Sequence, residues 1–192
     1  MTTLVLASAS PRRRELLARI GLDPEVVPAE VDESVHEGEH AVRYVERVAR
    51  AKAEAIAARR PDALVLAADT AVVLDGGALG KPADRDDALV MLTRLSGRTH
   101  EVLTSVAVAA ADGEVHTSTE VALVTFAVLS RLELEWYLGT GEPFDKAGGY
   151  GLQGSGAALV ERVDGDPTTV IGLPLRATLV LLRRAGFRWP AS

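Results

Sequence analysis

Short continuous apolar runs alternate along the chain with apolar sets at helical spacing, the pattern of a mixed α/β protein. Residues 4–8 predict a buried strand, and the following SPRRRELLARIG predicts a helix with Ser10 at the N-cap, Pro11 at the first position and Gly21 past the end. Val26 and Val27 predict a second short strand, and AEVDESVHEGEH predicts an acidic loop. From 39 to 60, Val42, Val45, Val48, Ala49, Ala53 and Ile56 recur at helical spacing until Pro61 stops the element. Residues 63–68 predict a buried strand that presents Asp69 and Thr70 at its carboxyl end. Residues 72–79, turning at Asp75-Gly76-Gly77, predict a hairpin. A helix over 86–95, an antiparallel pair over 102–110 and 115–128, and a helix over 130–138 follow. A glycine-rich segment, GTGEPFDKAGGYGLQGSG, predicts a functional loop rather than a domain boundary; a strand over 158–163 and a helix over 174–185 close the chain.

The 192 residues are 47% hydrophobic and 25% charged and contain no cysteine, which excludes disorder, a disulfide scaffold and thiolate-metal chemistry. One domain over 1–192 is expected, with enough chain to bury its own core. No apolar run reaches the roughly 18 residues of a membrane span, and MTTLVLAS lacks the basic flank of a signal peptide. The expectation is a cytoplasmic protein with no membrane partner. A net charge of -6 argues against a broad face for polymeric nucleic acid, although a small polyanion can bind at a local basic cluster.

The positive charges are 18 arginines and only three lysines, Lys52, Lys81 and Lys146, so each lysine merits inspection. Ser8-Ala9-Ser10-Pro11-Arg12-Arg13 is the strongest local signal, because a helix N-terminus offers free N–H groups and a positive dipole end to an anion. With Arg12 at zero on a helical wheel, Leu16, Ile20, Arg13 and Leu17 fall at roughly 40, 80, 100 and 140 degrees, and Arg14 near 200. Arg13 thus leaves on the apolar side and Arg12 on its edge. Either the arginines are solvated stems or they grip an anion; an arginine aimed inward against an unfavourable dipole favours the anion. Lys52 falls within the apolar arc of its helix, either snorkelling or facing a ligand.

Lys81, in LGKP, does not belong to a P-loop, since Asp75 and Pro82 occupy positions that motif reserves for Gly and Ser or Thr. Asp69 is placed where α/β proteins put ligand-facing groups, or else forms an Asx turn. Glu33, Asp32 and Glu30 are either solvated or, with Asp69, hold a hard cation such as Mg²⁺. Gln153 either recognises a base or caps backbone. The four histidines lack metal-binding spacing, and QGSGA around Ser155 fails the GxSxG pattern, so zinc and serine hydrolases are weak readings.

Taken together, SASPRRRELL, VARAKA, AADT, LGKP, LSGRTHEV, EPFDKAGGYGLQG and VIGLP, collinear over nearly the whole chain, resemble the Maf (septum-formation-inhibitor-like) family of nucleoside triphosphate pyrophosphatases. The resemblance implies an α/β, mixed-sheet, inosine-triphosphatase-like (Maf/Ham) fold with two lobes around a central cleft. It implies hydrolysis of a nucleoside triphosphate to the monophosphate and pyrophosphate with a divalent cation, Mg²⁺ or Mn²⁺. Asp69 is similar to the family's proton acceptor, with Glu33 and Asp69 as metal ligands. Ser8, Arg13, Lys52 and Lys81 match positions that handle phosphate and metal. Arg12, Thr70 and Gln153 are similar to the branch that acts on dTTP and UTP. A homodimer is left open, and so is a rival reading: a nucleotide-binding regulator of septum formation with little catalysis.

Overall fold

Leu4, Val5 and Leu6, all buried, lie in β1 (Thr3–Leu6), the first strand of a computed structural model that describes residues 3–190. Helix α1 (Pro11–Arg19) starts at the N-cap Ser10, and Gly21 follows it with φ of 76°. Next come β2 (Glu25–Val26), α2 (Ala41–Ala57), β3 (Ala63–Leu74), β4 (Gly77–Leu79) and α3 (Arg85–Leu95). Strands β5 (Thr99–Ala109) and β6 (Val115–Phe126) precede α4 (Arg131–Gly139), β7 (Val160–Asp164), α5 (Pro167–Ile171) and α6 (Leu175–Arg184). Helix α5 is absent from the sequence reading, since five residues are too few to show a helical period, and the predicted glycine-rich loop contains three short 3-10 turns, Glu142–Asp145, Ala147–Gly149 and Ser155–Leu159. The strands form one mixed sheet in the order β2-β1-β3-β5-β6-β7, with β4 against β3. β1 runs parallel to β2 and β3, whereas β3–β4 and β6–β7 are antiparallel.

The chain divides into two compact units, and the division falls inside β3 between Asp69 and Thr70. The first unit comprises residues 3–69, 104–120 and 172–190 of the described chain. Its core sets Ala49, Ala53 and Ile56 of α2 against Val5, Ala7, Val65, Ala67, Ala107 and Ala109. Small side chains on both sides let helix and sheet approach closely. Alternation along β3 puts Val65, Ala67 and Asp69 on the same face, so the carboxylate is carried to the side on which α2 lies.

Asp69 and Thr70 are not at the end of a strand, as the sequence reading expected. β3 continues to Leu74 because it finds a new partner. Its pairing with β1 stops at Leu6↔Leu66, and Val72 to Leu74 then pair with Leu79 to Gly77 of β4. The turn is Asp75-Gly76, both at positive φ (55° and 77°), the two-residue hairpin geometry.

The second unit, Thr70–Leu103 and Val121–Ile171, packs Leu92, Leu95, Leu134, Tyr137 and Leu138 of α3 and α4 against Val72, Val102, Val124 and Phe126. Ser130 and Glu133 close a reciprocal capping box at the start of α4. His100, Phe126 and Tyr150 meet edge to face, with ring centroids 4.8 to 5.4 Å apart, and His100 Nε2 lies 2.7 Å from the Tyr150 hydroxyl.

Burial lowers the His100 pKa from 6.5 to about 4. The unfolded chain therefore takes up this proton at higher pH than the folded one, and stability falls as pH drops from 6.5 toward 4. Between pH 7 and pH 5 this group alone removes about 2 kcal/mol. Urea unfolding at the two pH values is expected to show that loss in the wild type and not in His100→Asn. An equal loss in both proteins would overturn the assignment.

Candidate active site

In the first unit, α1 begins without a side-chain cap, which leaves its N-terminal N–H groups to other partners. Ser8, 6% exposed, turns the chain into this helix: its hydroxyl oxygen accepts from Ser10 N at 3.2 Å and from an Arg13 guanidinium N–H at 3.0 Å. Arg13 Nε donates to the Gly172 carbonyl at 2.9 Å. The guanidinium is thereby fixed on the inward side, as its wheel position predicts. Burial draws the Arg13 pKa down and the charge of Asp69 opposes that shift, so the two groups feel each other. Arg14 faces solvent and pairs with Asp23 at 3.4 Å.

The centre of the site is an ion-paired set around Lys52, a lysine only 7% exposed. Its ammonium donates to Asp69 Oδ1 at 2.8 Å and lies 2.9 Å from Glu33 Oε1. Snorkelling to solvent is excluded by that geometry. Asp69 is itself 6% exposed, and its Oδ2 is buried with no hydrogen-bond partner among the described residues. Burial raises the Asp69 pKa, and Lys52 and then Arg13 oppose the rise. A buried carboxylate with one oxygen on an ammonium and the other unused is an arrangement that can accept a proton or a ligand. No Asx turn accounts for it.

Glu33 is half exposed and held from two sides. Tyr44 of α2 donates to the Glu33 carbonyl at 3.2 Å, while Arg47 clamps Glu39 with two 2.7 Å bonds and reaches Ser34 O at 2.8 Å. The Arg47 bonds lower the Glu39 pKa to about 2, and burial followed by the Asp69 and Glu33 charges pushes Tyr44 up to about 12. Tyr44 and Arg47 were not singled out in the sequence; they lie in the first two turns of α2, the helix that also carries Lys52. Asp32 does not join the cluster, since it accepts from Ser34 N at 2.9 Å in a local turn. Glu30 is exposed.

Two carboxylates, Asp69 and Glu33, are therefore what the first unit offers a cation, and no group of three or more metal-binding side chains occurs among the described residues. The donor set fits Mg²⁺, which takes one or two carboxylates and completes its shell with water and phosphate oxygens.

The second unit carries Thr70, half-buried, Lys81, exposed, and Gln153. Gln153 lies in the glycine-rich segment with both amide atoms buried and unbonded among the described residues. It caps no backbone. An orphaned amide costs about 1–3 kcal/mol, which a ligand would recover. Lys146 is a fastener: it donates to the Glu142 carbonyl at 2.7 Å and pairs with Asp145.

A family model described as Maf-like protein matches residues 3–185. The chain belongs to the Maf-like family. A dTTP/UTP pyrophosphatase of Anaeromyxobacter dehalogenans is 57% identical over 190 residues, covering 97% of this chain and 96% of its own. One of Myxococcus xanthus is 53% identical over 189 residues, covering 98% and 95%. Among solved structures, a HAM1 protein from Coxiella burnetii superposes with a TM-score of 0.50 at 16% identity over 96% of this Maf-like chain and 94% of its own, a likeness of fold. No helix among the described residues is long and apolar enough to cross a membrane.

Proposed function

We propose that this chain hydrolyses dTTP and UTP to the monophosphate and pyrophosphate. The observation that carries the reading is Asp69: buried, paired through one oxygen to Lys52, and unbonded at the other. Support for the substrate comes from the relatives, two of which are named dTTP/UTP pyrophosphatases and exceed 50% identity.

In this reading Asp69 Oδ2 receives a proton from a water that attacks the α-phosphorus; a P–O bond forms to that water as the bond to pyrophosphate breaks. The upward shift of the Asp69 pKa makes it a better proton acceptor near neutral pH than an exposed aspartate. Lys52 opposes the upward shift of Asp69 and orients the carboxylate. Arg13, braced by Ser8 and Gly172, contributes a fixed positive charge for phosphate oxygens. A divalent cation, held by Asp69 and Glu33, supplies charge neutralisation and a more acidic water when bound. The family resemblance gives Lys81 to the triphosphate, Thr70 and Gln153 to the base edge, and Arg12 to either base or phosphate.

A nucleotide-binding regulator without turnover would need the cations, but it has no use for a buried carboxylate with an oxygen to spare. Incubation with dTTP or UTP and Mg²⁺, followed by ion-exchange separation of products, is expected to show the monophosphate and pyrophosphate in equal amounts, and a chelator is expected to stop the reaction. A diphosphate with orthophosphate, or tight binding with no product, would overturn the proposal.

A further inference from the structure

The glycine-rich segment is organised around a side chain that carries no part of the chemistry. Glu142 follows α4, and its carboxylate points into the turn formed by residues 151–156. Oε2 accepts from Ser155 N at 2.7 Å; Oε1 accepts from Gly156 N at 3.3 Å and from the Tyr137 hydroxyl at 3.2 Å. The same hydroxyl accepts from Gly151 N at 3.2 Å, and Tyr137 is fully buried. Backbone on both sides of Gln153 is thus tied to one carboxylate, directly after it and through Tyr137 before it.

The glycines are there to let the chain close on that carboxylate. A Cβ at Gly154 would lie 2.4 Å from Glu142 Oε2, and one at Gly156 would lie 2.8 Å from the Tyr137 oxygen. One at Gly151 would lie 2.7 Å from Lys146 Cε and 3.1 Å from Glu142 Oε1. Gln153 itself makes no bond that could hold its amide in place.

We infer that Glu142, acting with Tyr137, is the residue that positions Gln153 and so sets base discrimination. This rests on the reading of Gln153 as a base-contacting residue. Glu142 is a positioning residue: it fixes the backbone from which the amide projects, so that the amide is presented to the base without reorganisation on binding. In Glu142→Gln the side-chain amide must turn an N–H toward one of the backbone N–H groups, so one anchor is lost while shape is kept.

The test compares kcat and KM for UTP and CTP in the wild type, Glu142→Gln, Tyr137→Phe and Gln153→Ala, alongside amide exchange of residues 151–156. Glu142→Gln is expected to raise KM for UTP about 10-fold and to cut the UTP-to-CTP preference by a similar factor, with kcat changed much less, as loss of one charge-assisted anchor implies. Exchange at Ser155 and Gly156 should quicken, and Tyr137→Phe should show a weaker version confined to the Gly151 side. If Gln153→Ala leaves the preference unchanged, the reading of Gln153 is wrong and the inference falls with it. If Gln153→Ala changes the preference while Glu142→Gln and Tyr137→Phe do not, the positioning role alone is refuted. Equal losses in kcat for both nucleotides, with no change in preference, would also refute it.

Discussion

Asp69→Asn is expected to lower pyrophosphate release from dTTP by about 10²- to 10⁴-fold, the range for loss of a general base. The same substitution is expected to cost less thermal stability than loss of Lys52 does, because it removes a desolvated carboxylate while Lys52 keeps its 2.9 Å contact with Glu33. Burial outweighs Lys52 and Arg13 in setting the Asp69 pKa, so the folded protein holds the charged form less well than water does. A raised carboxylate pKa gives stability that is present at low pH and lost as pH rises past the group's ordinary value of 3.8. At neutral pH that cost is in force, and a neutral amide of the same shape relieves it; each kcal/mol recovered moves Tm by roughly 2–4 °C. That relief should vanish in acid, where Asp69 is protonated in the wild type as well. Calorimetry and a product assay on one preparation decide the matter. Retained turnover would remove Asp69 from the reaction, and a large fall in Tm would show it to be a structural ion pair instead.

Lys52→Met is expected to be the most damaging substitution in the first unit. It leaves the buried Asp69 carboxylate without its 2.8 Å partner and frees Glu33 from its 2.9 Å contact. Removing one member of a buried pair costs about 3–5 kcal/mol, because the remaining charge stays desolvated. Lys52 is the stronger of the two cations that hold the Asp69 pKa down, so its loss lets that pKa rise further. Whatever turnover remains should therefore have its acid limb displaced to higher pH. The double variant Lys52→Met with Asp69→Asn should recover most of the lost stability and none of the activity, since no buried charge is left without a partner. Urea denaturation of the four proteins gives the coupling. Additive effects would mean that the two groups do not act as a pair.

Most elements could be read locally. Ser10-Pro11 and Gly21 bracket α1, the heptad-like apolar positions of 42–56 define α2, and Ser130 with Glu133 announces α4. The inward turn of Arg13 and the buried place of Lys52 also followed from helical geometry, which depends on spacing alone. The position of Asp69 within its strand did not. Where β3 ends depends on when β1 stops and whether β4 takes over, and pairing of that kind is not written in the run 63–68 itself. The acidic cluster was only partly legible: Asp32 and Glu33 are neighbours of the same charge, yet one closes a turn on Ser34 and the other meets Lys52.

What the sequence settles about this protein is most of its elements, their buried faces and the family to which its motifs belong, because periodicity, capping and motif order are properties of short stretches of chain. The tertiary structure alone decided which charges meet. Arg13 is braced by a carbonyl 159 residues away, Lys52 reaches Asp69 because two alanine-lined surfaces pack closely, and Glu142 gathers backbone N–H groups that every residue possesses. Backbone donors leave no mark in a sequence, and ion pairs across a core depend on packing distance, so both become visible only when the chain is folded.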